Sequence, residues 1–257
     1  MSATETSGPS LPLVRCDIRG ATATVTLDSG VTRNTLSEPL LEDLHTALDR
    51  AESADIRIII LTNTGGTFCA GADLRERLAG PVDSTTMVDA FRRLSETHQV
   101  TIAAVKGHVR AGGIGLMASC DLVVVPMTTS FAFTEVLIGV APAIISVPIL
   151  RRCSPSAMAA AFLTGEQFDG EHARRIGLVT HVTDDVDAEV AALCARILMG
   201  APRALAVTKQ ILRDPSLHGS FTAMQALSDE LFGSEEAHEG MHAFLDKRPP
   251  NWTMPPG

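Results

Sequence analysis

Residues Val14–Ile18 and Thr22–Leu27 cluster β-branched residues on either side of Gly20, which predicts a hairpin. Leu40, Leu41, Leu44 and Leu48 then recur at helical steps, predicting a helix over Leu40–Ala51 with Ser37 as N-cap and Pro39 in its first turn. Arg57–Leu61 is apolar enough for a short buried strand, and Asn63–Gly71 follows as a Gly/Thr-rich loop. The pattern recurs: Met87–His98 predicts a helix, Thr101–Val105 a strand ending at Gly107, and Gly112-Gly113 the start of a helix through Ser119. Asp121–Val125 and Ser130–Phe133 read as two further strands. Near-continuous apolar strands, short helices between them and glycines at the turns predict an α/β fold. From Ser154 onward the expectation is almost wholly helical: Ala157–Thr164, Gly170–Ile176, Ala188–Leu198, Ala201–Arg213, Met224–Leu231 and Ser234–Lys247. Residues 1–11 read as a flexible leader, 12–195 as a β-rich core and 196–257 as a helical region.

Length and composition narrow this picture. At 257 residues, 45% hydrophobic and 20% charged, the chain is expected to fold around a sizeable core and to be soluble. Thirty acidic against 21 basic side chains, net −9, supply no global basic field for nucleic acid, although a local patch suffices for an anionic ligand. Five scattered cysteines (Cys16, Cys69, Cys120, Cys153, Cys194) without a CxxC spacing fit reduced thiols in a cytoplasm. Met1–Pro12 lacks the basic start and apolar run of a signal peptide. The longest mostly apolar stretch, Val140–Leu150, spans 11 residues with two prolines, against the roughly 20 that a membrane-spanning helix needs. A cytoplasmic protein, bound neither to membrane nor to nucleic acid, is the expectation.

Two glycine loops carry the candidate chemistry. In Thr64–Leu74, Gly66 and Gly71 have P-loop spacing, but Ala72-Asp73 stand where Lys-Ser belongs, and the acid would repel phosphate. A small-residue turn remains, whose amides face a ligand atom unobstructed. The second loop, Val105–Leu116, also joins a strand to a helix and is not a dinucleotide-binding GxGxxG. Taken singly, each loop is equally well explained by tight turns and close packing.

Together the loops resemble the crotonase (enoyl-CoA hydratase/isomerase) family over nearly the whole chain. Phe68–Leu74 resembles its F-x-A-G-A-D-L, Ile102–Leu116 its I-A-A-V-x-G followed by G-G, and Asn34-Thr35-Leu36 its N-A-L. Thr164-Gly165-Glu166 with Ala173–Val179 resembles T-G-E…A-x-R-I-G-L-V, and Ser234–Pro250 resembles the closing signature. The resemblance implies a spiral of repeated β-β-α units over 12–195, and over 196–257 helices that assemble a homo-trimer or a dimer of trimers. It implies an acyl-CoA thioester as ligand, with no cofactor beyond the coenzyme A of the substrate. The backbone N–H groups of Ala72 and Gly112 would form an oxyanion hole, consistent with their places at helix N-termini. One such donor is worth about 3–4 kcal/mol to a developing enolate. Ala70, Asp73, Leu74, Gly113, Gly115 and Phe244 become candidate ligand neighbours. Arg33, Arg75 and a neighbouring subunit's Lys247 become candidate phosphate contacts, each with a solvated surface charge as the alternative.

Family hydratases place two glutamates around the attacking water. Glu135 of Phe133–Val136 matches one; the other position, three residues after Gly112, is Gly115. Glu135 lies in a mostly apolar run, so desolvation should raise its pKa; a satisfied structural carboxylate is the alternative. A positioned acid or base contributes about 10²–10⁴-fold, so its loss leaves several outcomes. Glu135 alone serves hydration, or it alone serves Δ3,Δ2-enoyl-CoA isomerisation, or the protein runs another crotonase reaction, or it binds acyl-CoA without turnover. Gly139–Ser146 departs from the family's usual P-G-x-G-G-T and looks like the bacterial methylglutaconyl-CoA hydratase subgroup, which leans toward hydration.

A competing motif is His238-Glu239-Gly240-Met241-His242, a literal HExxH of zinc metallopeptidases. Gly240 weakens a helix centre, Asp246 lies too near for a remote third ligand, and Glu239-Gly240 also fits the crotonase signature, so no metal is expected. His45, His98, His108, His172, His181 and His218 form no constellation, although His108 is near the second loop. No GxSxG elbow supports an acyl-serine thioesterase.

Overall fold

The computed structural model describes residues 11–53, 55–214 and 220–253. Residues 1–10 of the expected leader and His218 lie outside the described residues. The chain opens with the expected hairpin, β1 (Val14–Arg19) antiparallel to β2 (Thr22–Leu27), turned by Gly20 at φ 55°. Helix α1 (Glu38–Ala51) follows. Ser37 Oγ accepts from the Leu40 amide, and the helix buries Leu40, Leu41, Leu44 and Leu48 on one stripe.

Three successive units then repeat one plan. β3 (Ile58–Asn63) leads to β4 (Thr67–Cys69) and α2 (Leu74–Ala79), after which α3 (Thr85–Glu96) is inserted. β5 (Val100–Ala104) leads to β6 (His108–Arg110) and α4 (Gly112–Ala118). β7 (Leu122–Val125) leads to β8 (Ser130–Ala132), a 3-10 turn Glu135–Ile138 and α5 (Ala143–Leu150). The first strand of each unit joins a six-stranded sheet ordered β1-β2-β3-β5-β7-β10, with β10 at His181–Val182, parallel from β2 onward. The second joins a four-stranded sheet ordered β4-β6-β8-β9, with β9 at Phe168–Asp169. This is the β-β-α spiral, and it is an α/β fold.

The rest comprises α6 (Pro155–Thr164), β9 (Phe168–Asp169), α7 (Gly170–Arg175), β10 (His181–Val182), α8 (Val186–Leu198), α9 (Pro202–Arg213), α10 (Phe221–Phe232) and α11 (Glu235–Leu245). The region after Ser154 is almost wholly helical, as expected, but two short strands in it were not expected: β9 closes the small sheet against β8, and β10 extends the large sheet beside β7. α5 was not expected either. It is apolar all round and contains Pro148, so it offers no helical periodicity.

One buried and one half-buried cation tie the helical region to the core. Lys209 Nζ, on α9, donates to Gln99 O at 2.7 Å and pairs with Asp121 Oδ2 at 2.9 Å. Arg57 donates to the carbonyls of Leu198, Gly200 and Trp252 at the end of α8 and near the C-terminus. Among the described residues, no single helix is long and apolar enough to cross a membrane.

Candidate functional site

Three chain segments separated in sequence meet at one corner of the small sheet. Leu36 donates its amide to Gly71 O at 2.8 Å and bridges Ala72 in parallel fashion, while the Ala70 amide donates to Arg33 O at 3.1 Å. Asn34, fully buried at φ 54°, fixes this geometry: its Oδ1 accepts from the Ser29 amide at 2.7 Å and its Nδ2 donates to Thr67 O at 3.0 Å. Asparagine tolerates this left-handed conformation better than most residues.

The two glycine loops then press against each other. A Cβ on Gly107 would lie 2.2 Å from Gly66 O, and one on Gly71 would lie 3.0 Å from Ala111 Cβ. A Cβ on Gly112 would stand 3.6 Å from the Ala72 nitrogen, so the two expected amides are neighbours. Neither amide has an acceptor among the described residues. Gly112 is the first residue of α4, and Ala72 precedes Asp73, whose carboxylate caps α2 by accepting from the Arg75 amide at 2.8 Å. Both sit where unpaired N–H groups and the helix dipole favour an anion. Ala111, just before Gly112, is held at φ 45° and ψ −119°, a strained conformation for alanine, and its amide donates to Ala132 O at 3.1 Å.

Cys69 lines the same corner. Its Sγ accepts from the Gly71 amide at 3.4 Å, and a Cβ on Gly113 would sit 2.6 Å from Cys69 Cβ. Full burial pushes this thiol up to about 12, so it packs rather than attacks.

Glu135 arrives from the neighbouring strand. β6 and β8 run parallel with Arg110 opposite Ala132, so Gly112 and Glu135 follow two and three residues beyond one register pair. Arg110 reinforces the pairing by donating to Ser130 O at 2.6 Å and to Ser130 Oγ at 2.8 Å. Glu135 is half-buried, and its Oε2 is buried with no hydrogen-bond partner among the described residues. Burial raises its pKa above the ordinary 4.5, opposed by its own backbone amide. An orphaned, desolvated carboxyl is what a proton-transfer group requires and what a structural glutamate avoids. Exposed Val136, Leu137 and Ile138 follow it directly.

Gly115 is buried, and the side where a glutamate would project is occupied. A Cβ there would lie 2.7 Å from Ile145 Cγ2 and 2.9 Å from Phe91 Cε2. Gly115 therefore offers a ligand no free space at its α-carbon. Beside the first loop lies a cavity of about 510 Å³, lined by Leu36, Asp73, Glu76, Arg77, Val82 and Met87 among others. Arg33, Leu74 and Arg75 are exposed around the loop, and neither arginine is ion-paired among the described residues. Phe244 and Lys247 lie on α11 and just after it, both exposed, and no described hydrogen bond joins them to the loops. His108 is exposed and bonds to Ser130 Oγ.

The HExxH residues are arranged differently from a zinc site. Glu239 forms a bidentate pair with Arg248 (2.7 and 2.8 Å) and accepts from the Asn251 amide, which lowers its pKa to about 2. A Cβ on Gly240 would come within 3.0 Å of the Trp252 ring, so this glycine makes room for an indole. Among the described residues no group of three His, Cys, Asp or Glu side chains is placed to hold a metal.

Sequence reasoning overlooked Leu36, Cys69, Phe91, Ala111 and Ile145. Only Ala111 carried a local signal, since it occupies a tight turn between glycines.

The chain is similar to known proteins over nearly its whole length. The family model described as enoyl-CoA hydratase/isomerase matches residues 17–255. The chain is 31% identical to enoyl-CoA hydratase EchA19 of Mycobacterium tuberculosis, over 97% of this chain and 98% of that protein. It is 30% identical to the 2,3-dehydroadipyl-CoA hydratase of Escherichia coli, over 89% of this chain and 93% of that one. Among solved structures, an enoyl-CoA hydratase of Mycobacterium smegmatis superposes with a TM-score of 0.87 at 28% identity, covering 95% of this chain and all of that one.

Proposed function

The chain belongs to the enoyl-CoA hydratase/isomerase family, and from that premise we propose that it hydrates the 2,3 double bond of an enoyl-CoA thioester with Glu135 as its single acid and base. The observation that carries this reading is the orphaned, buried Oε2 of Glu135, in the 3-10 turn that follows β8, the strand paired with β6 just ahead of Gly112. The Glu135 carboxylate takes a proton from water, and the hydroxide oxygen bonds to the third acyl carbon. The double-bond electrons move onto the thioester oxygen, held by the Ala72 and Gly112 amides. The enolate then takes the proton back from Glu135 at the second carbon, which balances the addition. Two preorganised donors stabilise that oxygen most when its charge is greatest.

Arg33 and Arg75 are the proposed contacts for the coenzyme's phosphates, with Ala70, Asp73, Leu74 and Gly113 lining its path. Phe244 and Lys247 are proposed to complete the site from a neighbouring subunit. A trimer or dimer of trimers is supported by α10, which buries no residue, and by exposed Phe232, Phe244 and Leu245. A groove of about 340 Å³ runs between α9 and α10, lined by Ile211, Met224, Leu227, Leu231 and the exposed Phe232. We place the protein in the cytoplasm and assign it no cofactor of its own.

A second reading, isomerisation of 3-enoyl-CoA, is favoured by the apolar filling at Gly115, because moving one proton requires only one base. The test is loss of enoyl absorbance on crotonyl-CoA and 3-methylglutaconyl-CoA, with the Glu135→Gln variant beside the parent. Hydration that falls by about 10²–10⁴-fold in the variant supports the proposal; no hydration by the parent on either substrate sinks it. Because Glu135 must start ionised, kcat/KM should decline as pH falls, with its inflection above 4.5. The raised folded-state pKa means Glu135 stabilises the fold only when protonated, and this contribution is lost as pH rises through that pKa. Glu135→Gln should therefore melt no lower than the parent at neutral pH.

A further inference from the structure

We propose that Ile145 and Phe91 determine which reaction follows, by walling off the Gly115 side of the acyl chain from water; this rests on the enoyl-CoA reading above. Gly115 stands three residues after Gly112 on α4. Residues so spaced share a helix face, and a helical side chain leans toward the N-terminus. A side chain at position 115 would thus point toward the Gly112 amide. That direction is filled by Ile145, 4% exposed, and Phe91, 5% exposed. They come from α5 and α3, two elements that pack on α4. The contacts of 2.7, 2.9 and 2.9 Å to a built Cβ lie below any real Cβ separation, so the second carboxylate is not merely missing but excluded.

Neither wall residue carries a hydrogen-bonding group on its side chain. A bound water needs about two to four polar partners, and the side chains of Ile145 and Phe91 supply none. Water is admitted only where Glu135 receives it. The same base acting on a 3-enoyl thioester needs no water: it removes a proton from the second carbon and returns it to the fourth, while the double bond moves from 3,4 to 2,3. The wall therefore lowers hydration relative to proton transfer, and its shape, rather than Glu135, sets the ratio.

The experiment compares the rate of crotonyl-CoA hydration with the rate of 3-hexenoyl-CoA isomerisation in the parent, Ile145→Ala, Ile145→Val and Phe91→Leu. Ile145→Ala is expected to raise the hydration-to-isomerisation ratio by roughly tenfold, because the opened space admits a second water that hydrogen-bonds the one held by Glu135, and tenfold is the scale of one such bond. Ile145→Val and Phe91→Leu should shift it less, in the same direction. A purely structural role would lower both rates together and leave the ratio unmoved. Gly115→Glu alone should lower Tm without speeding hydration; combined with Ile145→Ala it should recover Tm and hydrate faster than the parent.

A ratio unchanged within about twofold in all three wall variants overturns the inference, as does Gly115→Glu folding at the parent's Tm; twofold lies well under the effect of one hydrogen bond. Activity with an unmoved ratio sinks the wall alone. A parent and variants inert on both substrates sink the underlying reading and the wall with it.

Discussion

The two arms that carry the neighbouring amides follow one local recipe and end in opposite surroundings. Each runs from a three-residue strand of the small sheet, through a glycine-bearing turn, to the N-terminus of a helix. All seven residues of α4 are buried. None of the six residues of α2 is buried, and Leu74 and Leu78 are 53% and 89% exposed. The Gly112 amide is therefore anchored in the core. The Ala72 amide is held by the Asp73 cap, by the bond from Leu36 to Gly71 O, and by the press of Gly71 on Ala111. Preorganisation, from which an oxyanion hole draws its strength, is intrinsic to one arm and borrowed by the other.

This contrast can be broken hardest at the join. Gly107→Ala would drive a methyl into Gly66 O at a backbone φ of 137° and should cost at least about 4 kcal/mol, a Tm loss of roughly 10 °C in calorimetry. Gly113→Ala, inside the buried arm, meets Cys69 and should cost about 1–3 kcal/mol by denaturant titration, with kcat reduced as α4 shifts. Ala111→Gly relieves φ 45° and should stabilise by about 1 kcal/mol or less; it should also loosen the Gly112 amide, seen as lower kcat at unchanged KM. Leu78→Ala on the exposed arm should lie within about 0.5 kcal/mol of the parent. A loss above about 1.5 kcal/mol there, beyond the scatter of surface substitutions, would mean that α2 is not the free arm described.

What the sequence disclosed follows from the range of each interaction. The hairpin at Gly20, the Ser37 cap and both glycine loops depend on neighbours within a few positions and were legible. β4 and β6 were not, because three residues between glycines show no alternation. β9 and β10 are pairs of residues recruited by finished sheets. At the site, Glu135 stood out as a lone acid in an apolar run. The filling of Gly115 did not, since Ile145 lies 30 positions away and Phe91 24, and no pattern links them.

The packing of Trp252 has an optical consequence. The chain contains one tryptophan and no tyrosine. That indole rests on Gly240 of α11, donates to Met199 O at 3.1 Å, and its residue's carbonyl accepts from Arg57. Intrinsic fluorescence of this protein is thus a gauge of a single seam, where α11 meets the end of α8 and the residue just before β3. Emission followed during heating or dilution reads the release of that seam, while far-ultraviolet circular dichroism reads the spiral.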